Sequence, residues 1–192
     1  MANVAEKYGL RPVRKLDGSP FINAQNRYRI AANYGTPIFQ GDLVIPVTGG
    51  GIQRAVANTT DLVIGVFNGV FYTDPTTQKP TFKNYYPGTV NATDIMANVI
   101  DDPNVVFSID SDGAFAVADI YKNFAITNVT GNTATGISKV QLDYSVSGLT
   151  TSGTVLTAID ISQDVDNSTV GSANVDVLVR INNHFYSQGT GI

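Results

Sequence analysis

Side chains that could carry out chemistry are few in this sequence, and their spacing does not suit catalysis. The chain contains no cysteine and one histidine, His184. Thiolate clusters, cysteine nucleophiles and multi-histidine metal sites are therefore excluded. His184 follows the last predicted strand, and no Gly-x-Ser-x-Gly turn accompanies it, which favours a structural histidine. We expect no enzymatic activity.

The acidic residues do not form a convincing catalytic or metal site either. Asp101 and Asp102 are adjacent and would point to opposite faces of a strand, so a turn before Pro103 is their expected role. Asp110-x-Asp112-Gly113 and Asp164-x-Asp166-x-Ser168 resemble the start of a calcium loop. Neither has the glycine at position six and the glutamate at position twelve that complete such a loop. The sequence predicts no metal and no cofactor.

The elements that position these residues are predicted to be mainly β. Only one of the 16 acidic residues is a glutamate, and turns recur between short apolar runs. Leu62–Phe71 is almost continuously apolar, and its Asn68-Gly69 pair predicts a bulge or hairpin. Val175–Ile181 alternates as a half-buried strand does, and Asp112-Gly113 predicts a hairpin. We expect a single β-sandwich or small-barrel domain.

The positive charge is concentrated at the amino terminus. Residues 1–30 carry six of the 12 cations and a net charge of +4, whereas the other residues carry −8. This division predicts an extended N-terminal arm, residues 1–25, that leaves a body formed by residues 26–192 and lies on a surface of opposite sign. A tail that folds back on its own body is the alternative. Nucleic acid is not the expected partner, because the acidic body would be repelled by phosphates.

A second candidate contact surface is a long polar loop, at about residues 72–91, which contains three proline residues and several aromatic rings. Its candidate contact residues are Tyr72, Phe82, Tyr85 and Tyr86. So many rings in a polar loop suggest a contact surface. The alternative is that the loop folds over the edge of the body with its rings packed inward.

The chain shows no targeting signal. Residues 1–7 lack the apolar core of a signal peptide, and no run approaches the ~20 apolar residues that span a bilayer. We expect synthesis in a cytoplasm and no membrane partner.

Several short motifs, in their order, resemble a known family of structural proteins. They are Tyr8-Gly9-Leu10-Arg11-Pro12-Val13-Arg14, Asp17-Gly18-Ser19-Pro20-Phe21, Arg27-Tyr28-Arg29-Ile30, Phe39-Gln40-Gly41-Asp42-Leu43-Val44, Asp101-Asp102-Pro103, Asp112-Gly113, Val179-Arg180-Ile181-Asn182-Asn183-His184 and Gly189-Thr190-Gly191. The chain resembles the capsid decoration, or cement, proteins of tailed bacteriophages, especially marine ones.

This resemblance implies a virion protein on the outer surface of the capsid. Such a protein binds the expanded head and clamps neighbouring major capsid proteins. Our hypothesis is that the N-terminal arm is the clamp and that it can add a strand to a capsid edge. Its cations would pair with acidic groups on the capsid, and its apolar side chains would fill grooves. The residues expected to bind the capsid are Tyr8, Leu10, Arg11, Val13, Arg14, Lys15, Arg27 and Arg29.

The resemblance leaves the assembly and a rival function open. Self-association as a trimer on local threefold axes is the first expectation, and a dimer on twofold axes is the second. The rival is a tail, baseplate or host-surface-binding β-module of the virion. In that case the 72–91 loop would contact host glycans through Tyr72, Tyr85 and Tyr86.

Overall fold

The computed structural model describes residues 3–56, 62–147 and 154–187, which form twelve strands in two six-stranded sheets. The strands are β1 (Arg11–Lys15), β2 (Asn26–Arg29), β3 (Leu43–Val47), β4 (Gly51–Arg54), β5 (Gly65–Thr73), β6 (Pro80–Lys83), β7 (Met96–Ile100), β8 (Val105–Asp110), β9 (Asn123–Ile126), β10 (Leu142–Ser147), β11 (Leu156–Ile161) and β12 (Asp176–Ile181). Short 3₁₀ helices span Val117–Asp119 and Phe185–Ser187. The mainly β fold predicted from the sequence is confirmed.

One sheet closes into a five-stranded barrel. Its strands follow the order β3-β4-β2-β7-β5, and β5 pairs back onto β3, while β6 extends the sheet as the partner of β5. Pairing is antiparallel except between β2 and β4, where Arg29 lies opposite Gly51 in parallel register. Closure leaves few free strand edges in this half of the molecule and makes it a rigid support.

The second sheet, here called the open sheet, has the order β1-β8-β12-β11-β9-β10 and is antiparallel throughout. A large apolar cluster joins it to the barrel, because Leu43 and Val66 of the barrel pack with Phe107 and Val179 of the open sheet. A second cluster fills the barrel itself around Phe67. Within the described residues, no helix is long and apolar enough to cross a membrane.

Two of the predicted local features are present and one is wrong. β5 is buried over most of its length, and the ladder shifts between Phe67 and Gly69, so Asn68-Gly69 is a bulge. β12 alternates as expected. The Asp112-Gly113 hairpin is wrong, since a 3₁₀ helix follows instead of a strand. The Ala116 N–H bonds to the Asp119 carboxylate and stabilises that helical turn in place of a ladder.

The N-terminal segment lies against the rest of the chain, so the prediction of an arm that leaves the body is wrong. β1 pairs with β8 at one edge of the open sheet. Leu10 is 2% exposed, and its N–H donates to the Gly41 carbonyl. Burial of Tyr8 and Leu10 stabilises the folded-back position, as the alternative interpretation of the tail expected. Gly191 and its neighbours in the last motif, Gly189-Thr190-Gly191, lie outside the described residues.

Gly9 shows how tightly this segment is seated. Its φ of +70° is a conformation that side chains rarely adopt, and a Cβ built at this position would lie 2.6 Å from the Gly41 carbonyl oxygen. Only glycine permits this close approach of two backbone segments. The folded-back position of the N-terminal segment therefore depends on glycine at position 9.

Candidate docking face on the barrel

The positive side chains of β1 interact with their own chain. The Arg11 guanidinium lies 4.0 Å from the centroid of the Tyr8 ring. Arg14 donates through Nη1 to the Lys15 carbonyl oxygen at 3.1 Å. Lys15 Nζ lies 2.9 Å from an Asp102 carboxylate oxygen, and this contact raises the pKa of Lys15. These three cations therefore already interact with groups of their own chain and are less available to a partner.

The apolar residues predicted to grip the capsid from the arm are divided by the fold. Tyr8 and Leu10 are buried, and the Tyr8 hydroxyl hydrogen-bonds the Ser108 hydroxyl at 2.9 Å. Burial raises the pKa of Tyr8. The assignment of these two residues to a capsid groove is therefore wrong, because each already fills a position in its own core. Val13 is 48% exposed and stays accessible.

The free edge of β1 is unsuited to adding a foreign strand. Pro12 has no N–H to donate, and the ladder shifts between Pro12 and Arg14. The Lys15 N–H already donates to the Ser19 carbonyl in the following turn. Proline, a bulge and charged side chains are devices that protect sheet edges from strand addition. The structure does not support strand addition by the N-terminal segment.

The predicted loop at residues 72–91 is partly a hairpin, and two of its tyrosines are buried. Tyr72 belongs to the end of β5 and is 2% exposed, while Tyr86 is fully buried. The Tyr86 hydroxyl donates to the Tyr34 carbonyl oxygen at 2.9 Å. Assigning Tyr72 and Tyr86 to a surface is therefore wrong, because their rings fill the barrel. This also removes two of the three rings proposed for glycan contact.

The remaining two aromatic residues of this region have different surroundings. Tyr85 is half-buried and stacks on Phe39 with ring centroids 5.5 Å apart. Phe82 lies on β6 and is 61% exposed. Of the four predicted contact residues, Phe82 is the one that offers a large free apolar surface.

Phe82 belongs to a row of side chains that crosses the outside of the barrel. It lies opposite Phe71 of β5, Phe71 lies opposite Met96 of β7, and Met96 lies opposite Arg29 of β2. Directly opposed residues in antiparallel strands share one face of the sheet. Phe71 is 38% exposed, Met96 is half-buried and Arg29 is exposed. Four strands thus present a continuous apolar row with a cation at one end.

A shorter row runs beside the first. Arg27 lies opposite Asn98, which lies opposite Gly69 at the β5 bulge. The Phe82 ring covers Gly69, because a Cβ built there would lie 2.9 Å from the ring. Glycine at position 69 therefore lets the ring approach the sheet closely. We call the two rows together the docking face; its residues are Arg27, Arg29, Phe71, Phe82, Met96 and Asn98.

The cations of the docking face differ from those of β1. Arg27 and Arg29 are both exposed. Within the part of the chain that the structure describes, neither guanidinium has an ion-pair partner. Beside Arg29 the surface opens into a hollow of about 360 Å³ whose lining includes Ala31 and Val47. A partner could pair with these guanidinium groups without displacing an existing contact.

The strand that carries both arginines is held firmly from its other side. Tyr28, between them in sequence, donates its hydroxyl proton to an Asp101 carboxylate oxygen at 2.5 Å. The Asn26 amide donates to both oxygens of the same carboxylate. Burial and the Asp101 hydrogen bond raise the pKa of Tyr28. These bonds fix β2 so that Arg27 and Arg29 point outward.

The remaining candidates for chemistry have structural roles. His184 is 1% exposed, its Nδ1 accepts the Tyr186 N–H, and burial lowers its pKa. Across residues 3–56, 62–147 and 154–187, no group of three or more His, Cys, Asp or Glu side chains is placed to hold a metal ion. The docking face is thus the strongest candidate site among the described residues.

Comparison of the chain with models of protein families, with curated proteins and with solved structures gave no match. The site is therefore argued from its own geometry. Sequence reasoning had named Arg27, Arg29 and Phe82 and had counted Phe71 among the rings next to the predicted loop, but it missed Met96 and Asn98. The sequence signal for this face was the alternation around the Asn68-Gly69 bulge of β5. The register that brings residues of the four strands into one row is a property of the folded sheet.

Proposed function

We propose that this chain is a structural virion protein that binds the outside of an expanded phage capsid and stabilises the head by bridging neighbouring major capsid proteins. The observation that carries the proposal is the row of exposed Phe82, exposed Phe71 and half-buried Met96 that ends at Arg29, which has no ion-pair partner among the described residues. The proposed contact surface is therefore the docking face and not a free N-terminal arm.

The composition of the docking face suits a protein partner. Phenylalanine, methionine and arginine are enriched at protein interfaces, and buried aromatic and arginine side chains often dominate binding energy. The face is also largely pre-organised, because its residues lie on paired strands of a closed barrel. Little ordering entropy is then lost when a partner binds.

Charge favours an acidic partner surface. The chain has a net charge of −4, but the docking face carries two arginines without a carboxylate in its rows. A capsid patch with acidic groups would attract this face and repel the acidic remainder, which fixes the orientation of binding. Binding as a trimer, or alternatively as a dimer, would add avidity on the order of 10²–10⁴ per linked site.

The test is sedimentation of the protein with expanded heads assembled without it. The variant Arg29→Glu reverses one charge in the docking face. We expect it to bind at least about tenfold more weakly, since loss of a central interface contact costs about 2 kcal/mol and about 1.4 kcal/mol corresponds to tenfold. Phe82→Ser should weaken binding similarly by removing the largest apolar contact.

Arg180→Glu is the matched control. Arg180 is likewise an exposed arginine on a strand, β12, but it belongs to the open sheet. Arg180→Glu changes the net charge by the same amount as Arg29→Glu does. We expect it to bind expanded heads as the unmodified protein does. Equal weakening by Arg29→Glu and Arg180→Glu would show that net charge and not the docking face matters. Failure of the unmodified protein to bind expanded heads would refute the proposed function itself.

A further inference from the structure

Two aspartates face each other beneath the N-terminal segment. Asp110 ends β8, Asp176 begins β12, and the two residues are directly paired in antiparallel register. Their side chains therefore lie on the same face of the open sheet. Asp110 is fully buried, and Oδ1 of each carboxylate is a buried atom without a hydrogen-bond partner among the described residues. Two ionised carboxylates placed in this way would repel each other.

The first described residues of the chain cover this pair. We call residues 3–8 the strap. The Glu6 backbone lies close to Asp110, and the Tyr8 hydroxyl lies close to Asp176. The Val4 N–H donates to Asn167 Oδ1 at 2.7 Å. The strap therefore covers the two carboxylates, Asp110 on β8 and Asp176 on β12, and shields them from water.

The charged groups around the pair do not neutralise it fully. The groups that face it are Glu6, Lys7 and Tyr8 from the strap, Arg11 from β1, Asp110 from β8 and Asp176 from β12. Gln141 donates to Asp110 Oδ2 at 3.0 Å, and Asn167 interacts with Asp176. Lys7 and Arg11 favour ionisation, whereas Glu6 and the burial of both carboxylates oppose it.

We infer that Asp110 and Asp176 hold one proton between them in the folded protein, and that this shared proton latches the strap to the open sheet. With one carboxyl protonated, an O–H donor is available for the unpaired oxygen across the strands. Opening the strap hydrates both groups, and the proton then leaves to water. The latch is independent of the proposed capsid function.

The direction of the pH effect follows from the surroundings. Burial, followed by the charge of Asp176, raises the pKa of Asp110 to about 6, and burial raises the pKa of Asp176. The closed strap therefore binds a proton between the ordinary carboxyl pKa and about 6, and the open strap does not. Closure is favoured below this window and becomes weaker as pH rises through it. The strap should be tight in mild acid and looser in mild base.

The test is backbone amide exchange of the strap in the full chain at about pH 5 and about pH 8, expressed as protection relative to the intrinsic rate at each pH. We expect protection of the Val4 and Glu6 amides to fall about tenfold or more in mild base, given that one pKa unit corresponds to a tenfold change. Barrel amides such as those of Val70 and Val99 report global unfolding, and their protection should not fall in the same way.

Two variants separate the latch from a general effect of charge. Asp176→Asn removes the like charge beside Asp110 and supplies an amide donor toward it, while burial of Asp110 remains. The fall in strap protection with rising pH should therefore be clearly smaller than in the unmodified chain. Asp164→Asn, on an exposed carboxylate of the open sheet's loop, makes the same charge change and should behave as the unmodified chain. Protection that is flat with pH in the unmodified protein, or that falls equally in Asp176→Asn, would overturn the inference.

Discussion

The positive side chains near the amino terminus belong to two regions that differ in their surroundings. On β1, Lys15 pairs with Asp102 and Arg11 stacks on a tyrosine ring of its own chain. On β2, Arg27 and Arg29 project from the same face of the barrel as the exposed rings of Phe71 and Phe82. The two groups have the same charge and lie within one stretch of sequence. A run of cations thus gives the sign of a surface, but pairing within the fold decides which charges remain available to a partner.

The aromatic residues of the predicted 72–91 loop show the same contrast and give the largest expected effect. Tyr86→Ala should lower the free energy of unfolding by about 4 kcal/mol, because it empties a fully buried aromatic position. Phe82→Ala should lower it by less than about 1 kcal/mol, since most of that ring is already exposed. Urea denaturation of both variants measures the difference. Equal losses would mean that Phe82 is part of the core and not of the docking face.

The N-terminal segment provides the next comparison. Leu10→Ala should lower the free energy of unfolding by about 3 kcal/mol, because Leu10 is buried in the cluster that joins the two sheets. Val13→Ala, on an exposed residue three positions later, is the control and should change stability little. Urea denaturation would contradict a folded-back segment if both variants were as stable as the unmodified protein.

The smallest expected effect concerns Arg27 and Arg29 and tests whether either of them stabilises the fold through an intramolecular interaction. Arg27→Ala and Arg29→Ala should each leave the free energy of unfolding unchanged within about 0.5 kcal/mol, since no ion pair of the described residues is lost. Thermal denaturation monitored by circular dichroism measures this. A clear loss of stability in either variant would show that the arginine has an intramolecular role, and the contrast with Lys15 would disappear.

Much of the fold was predictable from local sequence. The alternation of β12 and the apolar run of β5 with its bulge could be predicted from the residues alone. The hairpin at Asp112-Gly113 could not be judged in this way, because the Asp119 carboxylate stabilises a competing helical turn. Local patterns thus predict most strands. At Asp112-Gly113 they fail, because a side-chain hydrogen bond a few residues further along stabilises a different structure.

The candidate site was less predictable, because it depends on contacts distant in sequence. The N-terminal segment has a polar, interrupted pattern, and its seat against Gly41 depends on a close backbone approach that composition does not reveal. Phe71, Met96 and Arg29 become neighbours through strand register. Sequence reasoning could name exposed-looking residues, but it could not assemble them into one face.

A reconstruction of the decorated head by electron cryomicroscopy tests the central claim most directly. The account predicts that the barrel contacts a capsid subunit with Phe71, Phe82 and Arg29 in the interface, while β1 stays paired with β8 of its own chain. A reconstruction in which these three side chains face solvent, with the capsid contacted by another surface or by an N-terminal segment released from its sheet, would contradict it.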